Sequence, residues 1–311
     1  MVQSLSGLLE AVEHPIIDGA MATELEKLGV DTAQELWSAA ALLNQPEAIA
    51  AVHRSYFEAG AHVATTNTYQ ANIAAFEARG LTAAQSADLI KRAVHIAVEV
   101  RNNFAASVQD GAPRLVAGSV GPYGAYLADG SEYTGAYRLT DAEFRDFHRQ
   151  RLALMLEAGA DFLALETMPS GPEVLALLGL LADEFPESEA WLSLSLEDSE
   201  HLRDGTSLVA LADAINASQQ VKAVGLNCTA LENVAPALAV LGGLVDKPLL
   251  VYPNSGEIYH ADTKTWSAAP QSQSFGALVP DWIEKGAVLV GGCCRTTPAD
   301  ISEIASAVAD G

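Results

Sequence analysis

Eight short apolar runs, separated by longer segments of helical spacing, constrain this 311-residue chain more than any other feature. They are His14–Asp18, His62–Thr66, Leu115–Val120, Phe162–Glu166, Trp191–Leu196, Ala223–Cys228, Leu249–Tyr252 and Ala287–Val290. Rich in Val, Leu and Ile, they are close to continuously apolar, the pattern of strands covered on both faces in a parallel sheet. Parallel strands need a crossover of about a dozen residues or more, usually a helix. Segments Glu47–Ala59, Asp141–Ala158, Leu231–Leu241 and Pro298–Val308 have the periodicity for it, with Thr140 and Thr297 placed as N-caps. Eight such alternations with no Ser/Pro/Gly-rich linker predict an α/β fold, a single (β/α)8 TIM barrel over residues 1–311. The competing open doubly wound sheet lacks its G-x-G-x-x-G after the first run, which ends Asp18-Gly19-Ala20.

The charge balance narrows the partners. Lys and Arg number 17 against 40 Asp and Glu, a formal charge of −23. Such a surface repels phosphate backbones and anionic lipids, so neither nucleic acid nor membrane is an expected partner. The longest apolar stretch, Val174–Ala182, is too short to span a bilayer. Met1–Glu10 lacks the basic-then-apolar order of a signal peptide. Three cysteines, an odd number, argue against a disulfide framework and for a reducing cytoplasm. No coiled coil or extra arm is visible, which suits a monomer or small homo-oligomer.

Barrel chemistry gathers at the C-terminal ends of the strands. There the sequence places Asp18, Thr66-Asn67-Thr68, Gly121-Pro122-Tyr123, Glu166-Thr167, Asn227-Cys228, Asn254-Ser255 and Cys293-Cys294. All three cysteines fall at two such ends, after the sixth and eighth runs. Adjacent cysteines, with Cα atoms about 3.8 Å apart, are poor disulfide partners. Both can face one metal if the backbone turns sharply, a freedom expected here from Gly291 and Gly292. Three thiolates suit zinc with an open fourth position. On a divalent ion they leave a net charge of about −1, a weak Lewis acid better fitted to carrying a fourth sulfur as thiolate than to activating water. Ordinary buried cysteines and a structural zinc are the competing readings, although structural sites are normally closed by four protein ligands. A zinc hydrolase on the same barrel, or a protein that only binds zinc or thiols, would carry the same three residues. His53, His95 and His148 fall inside helices, form no H-E-x-x-H pair and read as surface or helix residues.

Several motifs together resemble one family. Gly291-Gly292-Cys293-Cys294-Arg295, Gly225-Leu226-Asn227-Cys228 and Asp18-Gly19-Ala20-Met21-Ala22-Thr23-Glu24-Leu25 resemble the homocysteine S-methyltransferases, zinc-dependent barrels. The stretches Val116–Tyr126 and Val251–Glu257, with Lys264-Thr265-Trp266, are similar to the branch that uses S-methylmethionine or S-adenosylmethionine. Gln70 stands near the place where betaine-using relatives carry tyrosine, which counts against betaine. The resemblance implies a cytoplasmic, zinc-dependent methyltransferase of methionine biosynthesis, moving a methyl group from the sulfonium donor to the zinc-bound thiolate of homocysteine. It implies Zn2+ on Cys228, Cys293 and Cys294, the catalytic centre. It implies Asp18 and Glu166 at the substrate's amino group, Thr66 and Thr68 at its carboxylate, and Asn254 at an amino-acid moiety. A zwitterion needs such acceptors and donors, and a charge ending the run Phe162-Leu163-Ala164-Leu165 is costly unless used. A sulfonium favours aromatic faces, for which Tyr123, Tyr126, Tyr133, Tyr137 and Trp266 are candidates. Gly118–Tyr137 is long for a strand-to-helix connection, which suits a lid or a donor-binding role.

Overall fold

The parallel pattern is realised in the computed structural model. The structure describes residues 3–32, 37–256, 258–260, 265–267 and 273–310, by backbone alone at 37–40, 258–260 and 265–267. Strands β1 (Val63–Thr65), β2 (Leu115–Val120), β3 (Phe162–Met168), β4 (Ala190–Leu194), β5 (Val221–Asn227) and β6 (Leu249–Tyr252) are followed by a short antiparallel pair, β7 (Ile258–His260) and β8 (Thr265–Ser267), and then by β9 (Ala287–Val290). Strands β1 to β6 and β9 form one seven-stranded parallel sheet in chain order. The helices Pro46–Glu58, Asp141–Glu157, Leu231–Gly242 and Pro298–Asp310 fall within two residues of the segments read from periodicity. Among the described residues no helix is long and apolar enough to cross a membrane.

The first apolar run departs from expectation. It makes two parallel bridges instead of a strand: Ile16 to Val290 of β9, and Ile17 to Val63 of β1. Pro15 has no N–H, and the Ile16 N–H donates to His62 Nδ1 (3.1 Å), so the ladder cannot lengthen. What remains still ties both outer strands of the sheet to one segment. Ile17 N–H donates to Val290 O (2.8 Å) and Asp18 N–H to Val63 O (3.0 Å).

Strand parity divides the core in two. Leu163, Leu165, Val224, Leu226, Leu249 and Val251 pack toward the helices. Their alternates Phe162, Ala164, Ala223, Leu250 and Tyr252 form a second cluster with Trp191, Val63 and Leu115 on the other face, joined by Leu5 and Leu8 of the helix Leu5–Ala11. Side chains two residues apart share a face. The same inward series that begins with Phe162 and Ala164 therefore delivers Glu166, and equivalent series deliver Ser119, Asn227 and Tyr252. The polar rim of the inner face rests on an aromatic floor, with Trp191 packed 5.1 Å from Phe162 and 5.7 Å from Tyr252 between ring centres.

Candidate metal and substrate site

Cys228 follows β5, and Cys293 and Cys294 follow β9, so the topology brings two distant segments together. The Sγ atoms of Cys228 and Cys294 are 3.6 Å apart, those of Cys293 and Cys294 4.0 Å, and all three lie within 4.8 Å of one another. Two ligands about 2.3 Å from a tetrahedral zinc are about 3.8 Å apart, so the spacing fits such an ion. The thiols also crowd one another as protons are lost. The hydrogen bond with Cys228, and then burial, hold the Cys293 thiol well above its ordinary range. A divalent cation removes that penalty, which is why this cluster could hold a metal.

The backbone holds the thiols in place. Cys293 N–H donates to Pro253 O (2.8 Å), and Cys294 N–H to Asn254 Oδ1 (3.1 Å). The sharp turning assigned to Gly291 and Gly292 occurs elsewhere: Cys228 (φ 51°) and Arg295 (φ 66°) take the left-handed conformation, and neither glycine does. The glycines serve close approach instead. A Cβ on Gly291 would stand 2.6 Å from Ile17 Cβ, and one on Gly292 2.4 Å from Thr296 Oγ1. Asn227, quoted in the sequence reading without a role, knots the centre. Its Oδ1 accepts from Thr167 N–H (2.8 Å) and Ser193 Oγ (2.6 Å), while its Nδ2 points at Cys293 Sγ (3.7 Å). Ligand-orienting contacts of this kind tune a metal site.

Above the thiols opens a cavity of about 240 Å³, bordered by the three cysteines, Asp18, Thr66 and Glu166. Asp18 is 2 % exposed; its carboxylate accepts from Thr65 N–H (2.8 Å) and Thr65 Oγ1 (2.9 Å). Burial holds Asp18 well above the usual carboxylate range against those hydrogen bonds. Glu166 is pushed up to about 7 by burial, although Ser119 Oγ and Tyr252 OH (3.2 Å) both donate to it. Two buried carboxyls with raised pKa values at one cavity mark a candidate place for a cationic group.

Two other expected residues, Thr68 and Asn254, are not on the cavity's border. The Thr68 hydroxyl donates to Ser119 O (2.7 Å) and meets Thr66 Oγ1 (2.7 Å), so it braces Thr66 and does not border the cavity. Asn254 spends its carbonyl on Cys294. Of the aromatic candidates, Tyr133 borders the cavity, and Cys228 is the strongest influence raising its hydroxyl pKa. Tyr123, Tyr126 and Tyr137 pack elsewhere, and the Trp266 side chain, Glu257 and Lys264 lie outside what is described. Asn67 and Gln70, both named from the sequence, also border the cavity, as does Tyr69, whose place in the segment after β1 was a signal that could have included it.

Comparison with known proteins converges on this geometry. The profile of the homocysteine S-methyltransferase family matches residues 15–308. The homocysteine S-methyltransferase of Escherichia coli (strain K12) is 49% identical over 301 residues, covering 96% of this chain and 97% of that protein. Homocysteine S-methyltransferase YbgG of Bacillus subtilis (strain 168) is 47% identical over 302 residues, with 96% of each chain covered. The solved metallated form of the Escherichia coli homocysteine methyltransferase MmuM matches with a TM-score of 0.89 at 47% identity, over 97% of this chain and 99% of that one. Likeness of this extent covers the rim that carries the thiols as well as the sheet beneath it, and this chain belongs to the homocysteine S-methyltransferase family of methyltransferases.

Proposed function

We propose that the protein moves a methyl group from a sulfonium donor, S-methylmethionine or S-adenosylmethionine, to the sulfur of homocysteine, giving methionine, with zinc held by Cys228, Cys293 and Cys294. The observation that carries this reading is the convergence of three thiols at tetrahedral ligand spacing beside two buried carboxyls. Zinc bound there would supply the positive charge that keeps an acceptor thiol deprotonated at neutral pH. The chain has no fourth cysteine to close the site. We read the seven-stranded sheet, tied at both edges to Ile16–Ile17, as a closed (β/α)8 barrel with the site at its C-terminal rim.

The chain's own residues do the binding. Asp18 and Glu166 receive the ammonium group of homocysteine, which draws both carboxyls into their ionised form. Thr66, braced by Thr68, faces the carboxylate end, and Asn254 keeps Cys294 turned toward the other thiols. Held so, the acceptor sulfur meets the methyl carbon in line. One carbon–sulfur bond forms as the other breaks, and the donor leaves as a neutral thioether. The step needs no redox partner and no covalent bond to the protein. With S-methylmethionine as donor, both products are methionine. The three free thiols suit a reducing compartment such as the cytoplasm.

The ligand assignment is tested by Cys228→Ala and Cys293→Ala. Each is expected to lose bound zinc, measured as metal per chain, together with methionine formation. Full turnover in a variant stripped of metal contradicts the assignment.

A further inference from the structure

The connection after β2 is built as a braced unit. It contains the helix Tyr123–Leu127 and the short 3-10 turn Ser131–Tyr133. Tyr123, Tyr126 and Tyr137 pack around Phe147 and Phe144 of the helix Asp141–Glu157. Tyr133, 38 % exposed, instead stands at the cavity that the three cysteines border. Beneath the unit lies Glu173, fully buried near the start of the helix Gly171–Glu184. Its carboxylate accepts from Tyr123 N–H (2.7 Å) at the beginning of the connection, from Tyr137 OH at its end and from His148 Nε2 (2.8 Å). His148 Nδ1 in turn accepts from Arg151 Nη2 (2.7 Å), which also donates to Gly121 O. One buried Glu–His–Arg chain thus fastens the connection at Gly121, Tyr123 and Tyr137. Inside the unit a Cβ on Gly124 would meet Glu132 N at 2.5 Å, so it is folded tightly on itself immediately before Tyr133.

A trialkyl sulfonium has a permanent positive charge and no N–H, so hydrogen-bond acceptors recognise it poorly, whereas an aromatic face attracts it. Resting on the methyl-transfer reading above, we propose that Tyr133 forms the aromatic wall against which the sulfonium donor is seated, and that Glu173 is the positioning residue that holds it there. Neither residue touches homocysteine in this arrangement, so the donor and acceptor half-sites separate kinetically.

The test is steady-state kinetics with donor and homocysteine varied independently, alongside zinc content. Tyr133→Leu is expected to raise the donor KM on the order of tenfold, with homocysteine KM and zinc per chain unchanged. Tyr133→Phe keeps the ring and is expected to restore near-wild-type donor KM. Glu173→Gln and the milder Tyr137→Phe, which removes one hydroxyl from the clamp, are expected to raise donor KM while leaving homocysteine KM in place. The inference is overturned if Tyr133→Leu leaves donor KM unmoved, if both KM values rise together, or if Tyr133→Phe is as impaired as Tyr133→Leu. It is also overturned in its positioning part if Tyr137→Phe and Glu173→Gln both fold and bind donor normally. A wild-type protein that makes no methionine from either sulfonium donor takes the methyl-transfer reading down as well, which distinguishes the two failures.

Discussion

Glu166 shows how a single inward position sets the behaviour of the site. Burial pushes its carboxyl up to about 7, while Ser119 and Tyr252 donate hydrogen bonds to it. The ionised form binds an ammonium group far more strongly than the neutral acid, which keeps an acceptor oxygen but no charge. As pH falls through about 7 the free protein takes up a proton at Glu166, and affinity for homocysteine is expected to fall with it. Glu166→Gln should raise homocysteine KM roughly thirtyfold, the loss of about 2 kcal/mol for a hydrogen bond to a charged group, and should flatten that acid limb. An unchanged acid limb in the variant would assign the titration elsewhere. At this scale the sequence was informative where chemistry restricts the residue type: the cysteines, Asp18 and Glu166 all border one cavity. It was uninformative about which way a rim side chain turns. Thr68 faces the supporting structure, Asn254 turns to Cys294 and Cys228 instead of bordering the cavity, and the left-handed backbone at the rim includes Thr167 (φ 60°), Cys228 and Arg295, none of them a glycine. Tertiary contacts fix these choices, and no local pattern records them.

At the scale of elements, continuous apolar runs identified the strands because both faces are covered, and the alternation hidden inside each run became visible only once the inner cluster was separated from the outer one. The first run is the exception, for the backbone reason given by Pro15 and Ile16. The helices were legible in position but less so in environment. His53 and His148, read as surface or helix residues, are both fully buried. His148 serves the Glu173 clamp, whereas among the described residues neither ring nitrogen of His53 has a partner. Burial lowers His53 from 6.5 to about 4, so the folded state keeps it neutral while the unfolded chain takes up a proton below about 6.5. A depressed histidine gives stability that is present above the unfolded value and is lost as pH falls from about 6.5 toward 4, here about 3 kcal/mol. His53→Leu is expected to lose less stability than the wild type over that window, read as the shift in urea midpoint between pH 7 and pH 4.5. Equal losses in the two proteins would mean that His53 is not a source of the acid sensitivity.

For the whole molecule, one parallel sheet gathers chemistry from segments more than two hundred residues apart, from Asp18 to Cys294, onto one rim. The net charge of −23 suits a protein that handles small zwitterions and cations, and opposes binding to polyanions. The central claim is that thiol methylation depends on a metal held by the three cysteines. Its most direct test is methionine formation from homocysteine with S-methylmethionine, S-adenosylmethionine and betaine supplied in parallel, before and after zinc is stripped and then restored. The account predicts methionine from a sulfonium donor and none from betaine, lost on stripping and recovered with zinc. Undiminished methionine formation in the stripped protein, or none from any donor with zinc bound, would contradict it.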